Sequence, residues 1–148
     1  MKIVSNSYER TIEIGNIIGQ NLKRGSIVCL DGELGAGKTA LTLGISKAFG
    51  VDDVSSPTFT IFHIYYGNSL PIFHFDVYRI EENELEDIGY EEFFYDDGIT
   101  IIEWADKLKR LYPRECLKIY INILENNDRE IEIIPIGNKY MHFKDVIF

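Results

Sequence analysis

Hydrophobic and polar positions change period several times along the chain, and each change marks an element. Tyr8, Ile12, Ile14, Ile17, Ile18 and Leu22 recur at roughly helical spacing behind the potential caps Ser5, Asn6 and Ser7. They predict a helix over about residues 7–23, ended by Arg24-Gly25. Ser26-Ile27-Val28-Cys29-Leu30 is a short, continuous apolar run rich in β-branched residues, the pattern of a strand buried on both faces. A glycine-rich loop follows from Gly32 to Gly37, then a helical pattern over about residues 38–49, closed by Gly50.

The second half reads differently. After the break at Ser55-Ser56-Pro57, two aromatic, β-prone stretches flank Gly67-Asn68-Ser69. They predict a hairpin with arms at about residues 59–66 and 70–78. An acidic helix over about residues 81–88 stops at Gly89, and another helical turn or two follows at about 90–95. Ile99-Thr100-Ile101-Ile102 repeats the buried-strand pattern and runs into Glu103-Trp104. A helix is expected over about residues 105–111, before Pro113. Two strands at about 116–124 and 129–134 flank Glu125-Asn126-Asn127-Asp128 as a late hairpin. Periodicity does not assign the tail from Met141 to Phe148. The order implies an α/β fold: one domain with a mixed sheet, parallel at its centre and antiparallel at its hairpin edges, flanked by helices.

Composition narrows the class. With 148 residues, 45% hydrophobic and 13% aromatic, the chain has the size and apolar content of one folded domain. The formal net charge is -9, and no run of Lys or Arg exceeds two residues. Such a surface argues against direct, independent nucleic-acid binding. Cys29 and Cys116 sit in apolar runs without metal-type spacing and read as buried reduced thiols. No window approaches the roughly 20 apolar residues of a membrane span. A soluble, cytoplasmic protein is expected.

The chemistry is concentrated in Gly32-Glu33-Leu34-Gly35-Ala36-Gly37-Lys38-Thr39, which fits G-x-x-x-x-G-K-[ST] in full. Glycines let successive backbone N–H groups turn inward as an anion nest. The following helix presents its free N–H groups and positive dipole end. Lys38 places a charge on the β- and γ-phosphates, and Thr39 offers a hydroxyl to Mg²⁺. The predicted ligand is ATP with Mg²⁺, held along Glu33, Leu34, Gly35, Ala36, Gly37, Lys38, Thr39 and Ala40, on a P-loop NTPase-like domain. The spacing does not suit a G-x-G-x-x-G dinucleotide site.

Such a site needs a carboxylate near the metal, at the end of a neighbouring strand. Glu103 and Asp76 are the candidates: one to hold Mg²⁺, the other to orient the attacking water. The plain alternatives are a solvent-exposed strand end for Glu103 and an ion pair with Arg79 for Asp76. His74, alternating with Phe73 and Phe75, reads as a packed or edge histidine, and Trp104 as a partly buried aromatic. Ser55-Ser56-Pro57-Thr58-Phe59-Thr60 falls where switch loops fall in P-loop enzymes. The acidic run from Glu81 to Asp87 reads as a solvated helix face or a docking surface.

Taken together, the P-loop, Ser56-Pro57-Thr58-Phe59-Thr60, His74-Phe75-Asp76-Val77-Tyr78-Arg79 and Glu103-Trp104 resemble the bacterial TsaE family in order and spacing. The likeness runs from about Ser5 to Ile134. The combination of H-F-D-x-Y-R with a later E-W is more specific than the P-loop alone. The resemblance implies a small ATPase needed for making N6-threonylcarbamoyladenosine at position 37 of ANN-decoding tRNAs. It would act with TsaD and TsaB, and reach tRNA only through them. It further implies Mg²⁺ on Thr39 and Glu103, a hydrolytic or switching role for Asp76, Arg129 near the nucleotide, and Thr11 near the base. No arginine finger is obvious, so slow turnover alone and faster turnover with partners are expected. Two other classes stay open: a small-molecule P-loop kinase, which needs an acceptor pocket and an arginine-bearing lid, and a non-catalytic nucleotide sensor.

Overall fold

The computed structural model describes residues 1–57, 62–94 and 97–148. In chain order its elements are β1 (Lys2–Ser5), α1 (Tyr8–Asn21), β2 (Ile27–Gly32), α2 (Lys38–Lys47), β3 (Phe62–Tyr65), β4 (Ile72–Asp76), α3 (Glu82–Asp87), α4 (Glu91–Phe94), β5 (Ile99–Glu103), β6 (Cys116–Ile123) and β7 (Arg129–Ile136). Short 3-10 segments follow β5 (Ala105–Lys107) and β7 (Asn138–Asp145). The expected hairpin start at Phe59, the switch-like residues Thr58, Phe59 and Thr60, and the helical end at Tyr95 lie outside the described residues.

All seven strands form one sheet in the order β1-β7-β6-β2-β5-β4-β3. β2 pairs in parallel with β5 and β6, and β4 in parallel with β5. The β1–β7, β6–β7 and β3–β4 pairs are antiparallel. The sheet is therefore mixed as expected, with a parallel centre and antiparallel edges. β2 is apolar throughout because it is covered on both faces. Its side chains alternate: Val28 and Leu30 enter the core that holds Ile14, Ile18, Leu41 and Ile45 of α1 and α2. Ile27 and Cys29 enter the opposite core with Phe75, Leu85 and Phe94.

α1 starts at Ser7, whose side chain accepts from Arg10 N–H at 3.0 Å. It lies backbone to backbone on α2. A Cβ added at Gly44 would strike the Ile12 carbonyl oxygen, and one at Gly15 would strike the Leu41 carbonyl oxygen. Small residues at this crossing let α2, and with it the end of the glycine-rich loop, sit directly against α1.

Three expectations change. Lys2–Ser5 forms an edge strand against β7, a role that its mixed polar sequence did not suggest. The helix expected over residues 105–111 is reduced to Ala105–Lys107. Asp31 Oδ1 accepts from Asp106 N–H at 3.1 Å, and the Glu82 carboxylate accepts from the N–H groups of Lys109, Arg110 and Leu111. Side-chain oxygens thus take donors that a helix would use. Glu82 is consequently a cap for this segment and not part of a merely solvated face. The tail, unassigned by periodicity, turns Tyr140 and Phe143 into the core, and the Tyr140 hydroxyl accepts from Ile27 N–H at 2.7 Å. Cys29 and Cys116 are free and buried, as predicted. Among the described residues no helix is long and apolar enough to cross a membrane.

Candidate functional site

The parallel strands set the site. β2 delivers the glycine-rich loop at its C-terminal end, and β4 and β5 end beside it. Register pairs Leu30 with Glu103, and Glu103 with Asp76. The two carboxylates therefore leave adjacent strands at one level, on the loop's edge of the sheet. This is where open parallel sheets place ligands. They line a cleft of about 990 Å³ with Lys38, Thr39, Trp104 and Ser56.

The loop has the geometry its composition predicted. Gly35 has φ 80° and Gly37 has φ 114°, conformations that side-chain-bearing residues rarely adopt. Gly37 is the N-cap of α2, so the helix opens at the cleft with no side-chain cap on its free N–H groups. Thr39 is exposed there, and Leu34 points outward at 89% exposure. Lys38 is buried, and its ammonium donates to the Gly32 carbonyl and, at 3.1 Å, to the Glu33 carbonyl. It also lies over the Trp104 ring. Burial pushes the Lys38 ammonium below its usual range, against the pull of Glu103, Asp76, Asp31 and Glu33. Among the described residues Lys38 makes no ion pair. A buried ammonium bonded only to carbonyls is suited to receive an anion.

Asp76 and Glu103 are held differently. Asp76 Oδ1 accepts from Tyr78 N–H at 2.9 Å, and no ion pair joins Asp76 to Arg79 among the described residues. Burial pushes the Asp76 carboxyl above its usual range, and Glu103 adds to this. Glu103 is 2% exposed, so it is not a solvated strand end. His74 Nε2–H donates to Glu103 Oε2 at 2.5 Å. Alternation with Phe73 and Phe75 predicts a packed or edge histidine at His74. It is packed, at 0% exposure, but it is also the partner of the candidate metal ligand. Among the described residues no three His, Cys, Asp or Glu side chains gather as a metal site. Thr39 and Glu103 could therefore hold Mg²⁺ only together with ligand oxygens and water, the usual arrangement for this ion.

Arg129 and Thr11 both reach the cleft but spend their polar groups on the protein. Arg129 Nε donates to the Ala36 carbonyl at 2.9 Å, Nη2 to the Gly35 carbonyl at 3.3 Å, and Nη1 to the Asn127 carbonyl at 2.6 Å. It braces the loop by binding the Gly35 and Ala36 carbonyls. The Thr11 hydroxyl bonds Ser5 Oγ at 2.7 Å and donates to the Ser7 carbonyl at 3.2 Å. Its methyl lies beside Gly37.

Sequence reasoning missed Asp31, just before the loop. It is 5% exposed, and among the described residues its Oδ2 has no hydrogen-bond partner. Burial raises its pKa to about 6, opposed first by the bond from Asp106 N–H and then by Lys118 and Lys38. An acid inside an otherwise apolar strand is the signal that could have found it.

A glycine-rich loop between a parallel strand and a helix, with carboxylates at the ends of neighbouring strands, defines a P-loop-like fold. The sequence pattern of the family described as Threonylcarbamoyl adenosine biosynthesis protein TsaE matches residues 5–131, and the chain belongs to that family. It is 40% identical over 133 residues to the tRNA threonylcarbamoyladenosine biosynthesis protein TsaE of Bacillus subtilis, covering 89% of this chain and 84% of that protein. It is 36% identical to the protein of the same name from Treponema pallidum, covering 90% of this chain and 99% of that one. The crystal structure of Bacillus subtilis YdiB superposes with a TM-score of 0.85 at 32% identity, over 98% of this chain and 91% of that chain.

Proposed function

We propose that this protein is an ATP-hydrolysing accessory factor in threonylcarbamoyladenosine biosynthesis on tRNA, acting with TsaB and TsaD. The observation that carries the reading is the register of Asp76 and Glu103 beside Lys38 at one edge of the sheet. The backbone N–H groups of Glu33 to Ala40 and the start of α2 bind the phosphates. Lys38 exchanges its carbonyl partners for β- and γ-phosphate oxygens. Thr39 and Glu103 would hold Mg²⁺, which would offset negative charge on the phosphate oxygens. Asp76, with its raised proton affinity, accepts a hydrogen bond from water and orients it toward the γ-phosphorus. Water attacks the γ-phosphorus and its proton passes to the Asp76 carboxylate, the bond to the β-phosphate oxygen breaks, and ADP and phosphate leave.

The arginines support slow turnover alone. Arg129 is committed to the loop carbonyls, and Arg79 is exposed at the cleft. Positive charge for the transition state can be supplied in trans. The net charge of -9 supports contact with tRNA through partners.

The test is ADP release from ATP–Mg²⁺ by the purified chain, alone and with TsaB, TsaD and tRNA. Stimulation by the partners is expected. Equal rates with and without them would refute the accessory role. ADP release that depends on a small-molecule acceptor would replace it with a kinase.

A further inference from the structure

His74 lies between Phe73 and Phe75 on β4, at a position with no exposure to solvent. Packing alone asks for an apolar side chain there, because a buried polar ring is costly unless both nitrogens are satisfied. Both are engaged. Nε2–H donates to Glu103 Oε2 at 2.5 Å, a direction set by the carboxylate, which only accepts. Nδ1 faces the Tyr65 hydroxyl at 3.4 Å. That hydroxyl accepts from Ser55 N–H at 3.1 Å and donates to the Ser55 carbonyl at 2.8 Å. Ser56 and Pro57, the next residues, line the same cleft as Glu103. A continuous side-chain path thus runs from the end of β5, across β4 and β3, to the loop beyond α2.

We propose that His74 is a positioning residue that links the Glu103 carboxylate to the loop at Ser55, Ser56 and Pro57, so that metal seating and loop position change together. The inference rests on the reading of Glu103 as a Mg²⁺ ligand. On one side, the Nε2–H bond pins a single carboxylate rotamer and leaves the other oxygen for the ion. Hydrogen-bonded partners of this kind commonly matter by 10- to 100-fold in metal affinity. On the other side, Tyr65 has one hydroxyl proton and two neighbouring acceptor positions, the Ser55 carbonyl and His74 Nδ1. A shift of the ring with Glu103 alters which of them the hydroxyl serves, and with it the hold on Ser55.

The experiment compares the full chain with His74→Gln, Tyr65→Phe and the double variant. It reads the Mg²⁺ concentration that half-saturates ADP release at saturating ATP, nucleotide affinity in EDTA, and the melting temperature. His74→Gln is expected to raise the Mg²⁺ requirement about tenfold or more while affinity in EDTA stays unchanged. Tyr65→Phe is expected to raise it by a smaller factor, and the double variant to match His74→Gln, because both act along one path. A folded His74→Gln chain with an unchanged Mg²⁺ requirement overturns the proposal. So does a Tyr65→Phe chain with no shift, or additive effects in the double variant. If His74→Gln does not fold, Tyr65→Phe decides alone. An unaltered chain that shows no Mg²⁺ response would overturn the ATP–Mg²⁺ reading itself, an outcome distinct from failure of the variants alone.

Discussion

The Lys38 ammonium lies 4.4 Å from the centre of the Trp104 ring. Trp104 holds this place in a left-handed backbone conformation, φ 61°, directly after Glu103. The indole therefore covers the cation from one side. The ring also packs on Tyr78, with ring centroids 4.8 Å apart.

Trp104 is the only tryptophan in the chain, so its fluorescence reports the cleft. ATP–Mg²⁺ should shift the emission as Lys38 leaves the ring for phosphate oxygens. Lys38→Ala should abolish the nucleotide-dependent change and lower turnover by on the order of 10²-fold. Titration of both chains by emission and ADP release checks this. A full shift in the Lys38→Ala chain would show that the ring does not report the phosphates.

Asp76 and Glu103 share an edge but should separate kinetically. Glu103→Ala is expected to raise the Mg²⁺ requirement as well as slow turnover. Asp76→Ala is expected to leave nucleotide binding in place and reduce kcat by on the order of 10²-fold. The paired measurement is binding against turnover across a Mg²⁺ series. The same profile for both variants would mean that the carboxylates do not divide the work.

Arg129→Lys keeps the charge but loses the fork that spans the Gly35 and Ala36 carbonyls. A looser loop should bind ATP roughly tenfold more weakly, about 1.4 kcal/mol. Equilibrium binding measures it, and unchanged affinity would remove the bracing role.

Asp31 gives stability a pH dependence. Its pKa rises from 3.8 to about 6 on folding, chiefly through burial. Between these values the folded chain keeps a proton that the unfolded chain has released. The native state then binds more protons, so stability falls as pH rises through that window. The loss is at most about 3 kcal/mol. Asp31→Asn should flatten this fall, as read from urea midpoints at pH 4.5 and pH 7. An unchanged slope would place the titration elsewhere.

Gly44→Ala tests how the loop helix is seated. The added methyl meets the Ile12 carbonyl, a backbone atom that cannot swing aside. Destabilisation of about 2 kcal/mol or more is expected from overpacking, with weaker nucleotide binding as α2 shifts. A neutral change in urea midpoint would mean that the two helices part without cost.

Much of the architecture was legible along the chain. The apolar run of β2 marked a strand covered on both faces, Gly35 and Gly37 marked the turn, and the motif named Lys38 and Thr39. Each signal is carried by residues within one turn or one strand of each other. Asp76 and Glu103 were visible as acids at the ends of β-prone runs. The failures share a cause. Lys2–Ser5 is a strand only because β7 offers it a partner. Residues 108–111 are not helical because Glu82, distant in sequence, takes the N–H groups of Lys109, Arg110 and Leu111.

The sequence alone determined the glycine-rich loop, the parallel strand that carries it, and the family, because these follow from local spacing and residue type. Tertiary structure alone decided that His74 serves Glu103, 29 residues away, that Arg129 grips the loop from the last hairpin, and that Asp31 Oδ2 has no partner among the described residues. Those pairings depend on strand order and register. A shift of one residue in β4 against β5 would turn His74 to the opposite face, and no local pattern encodes that alignment.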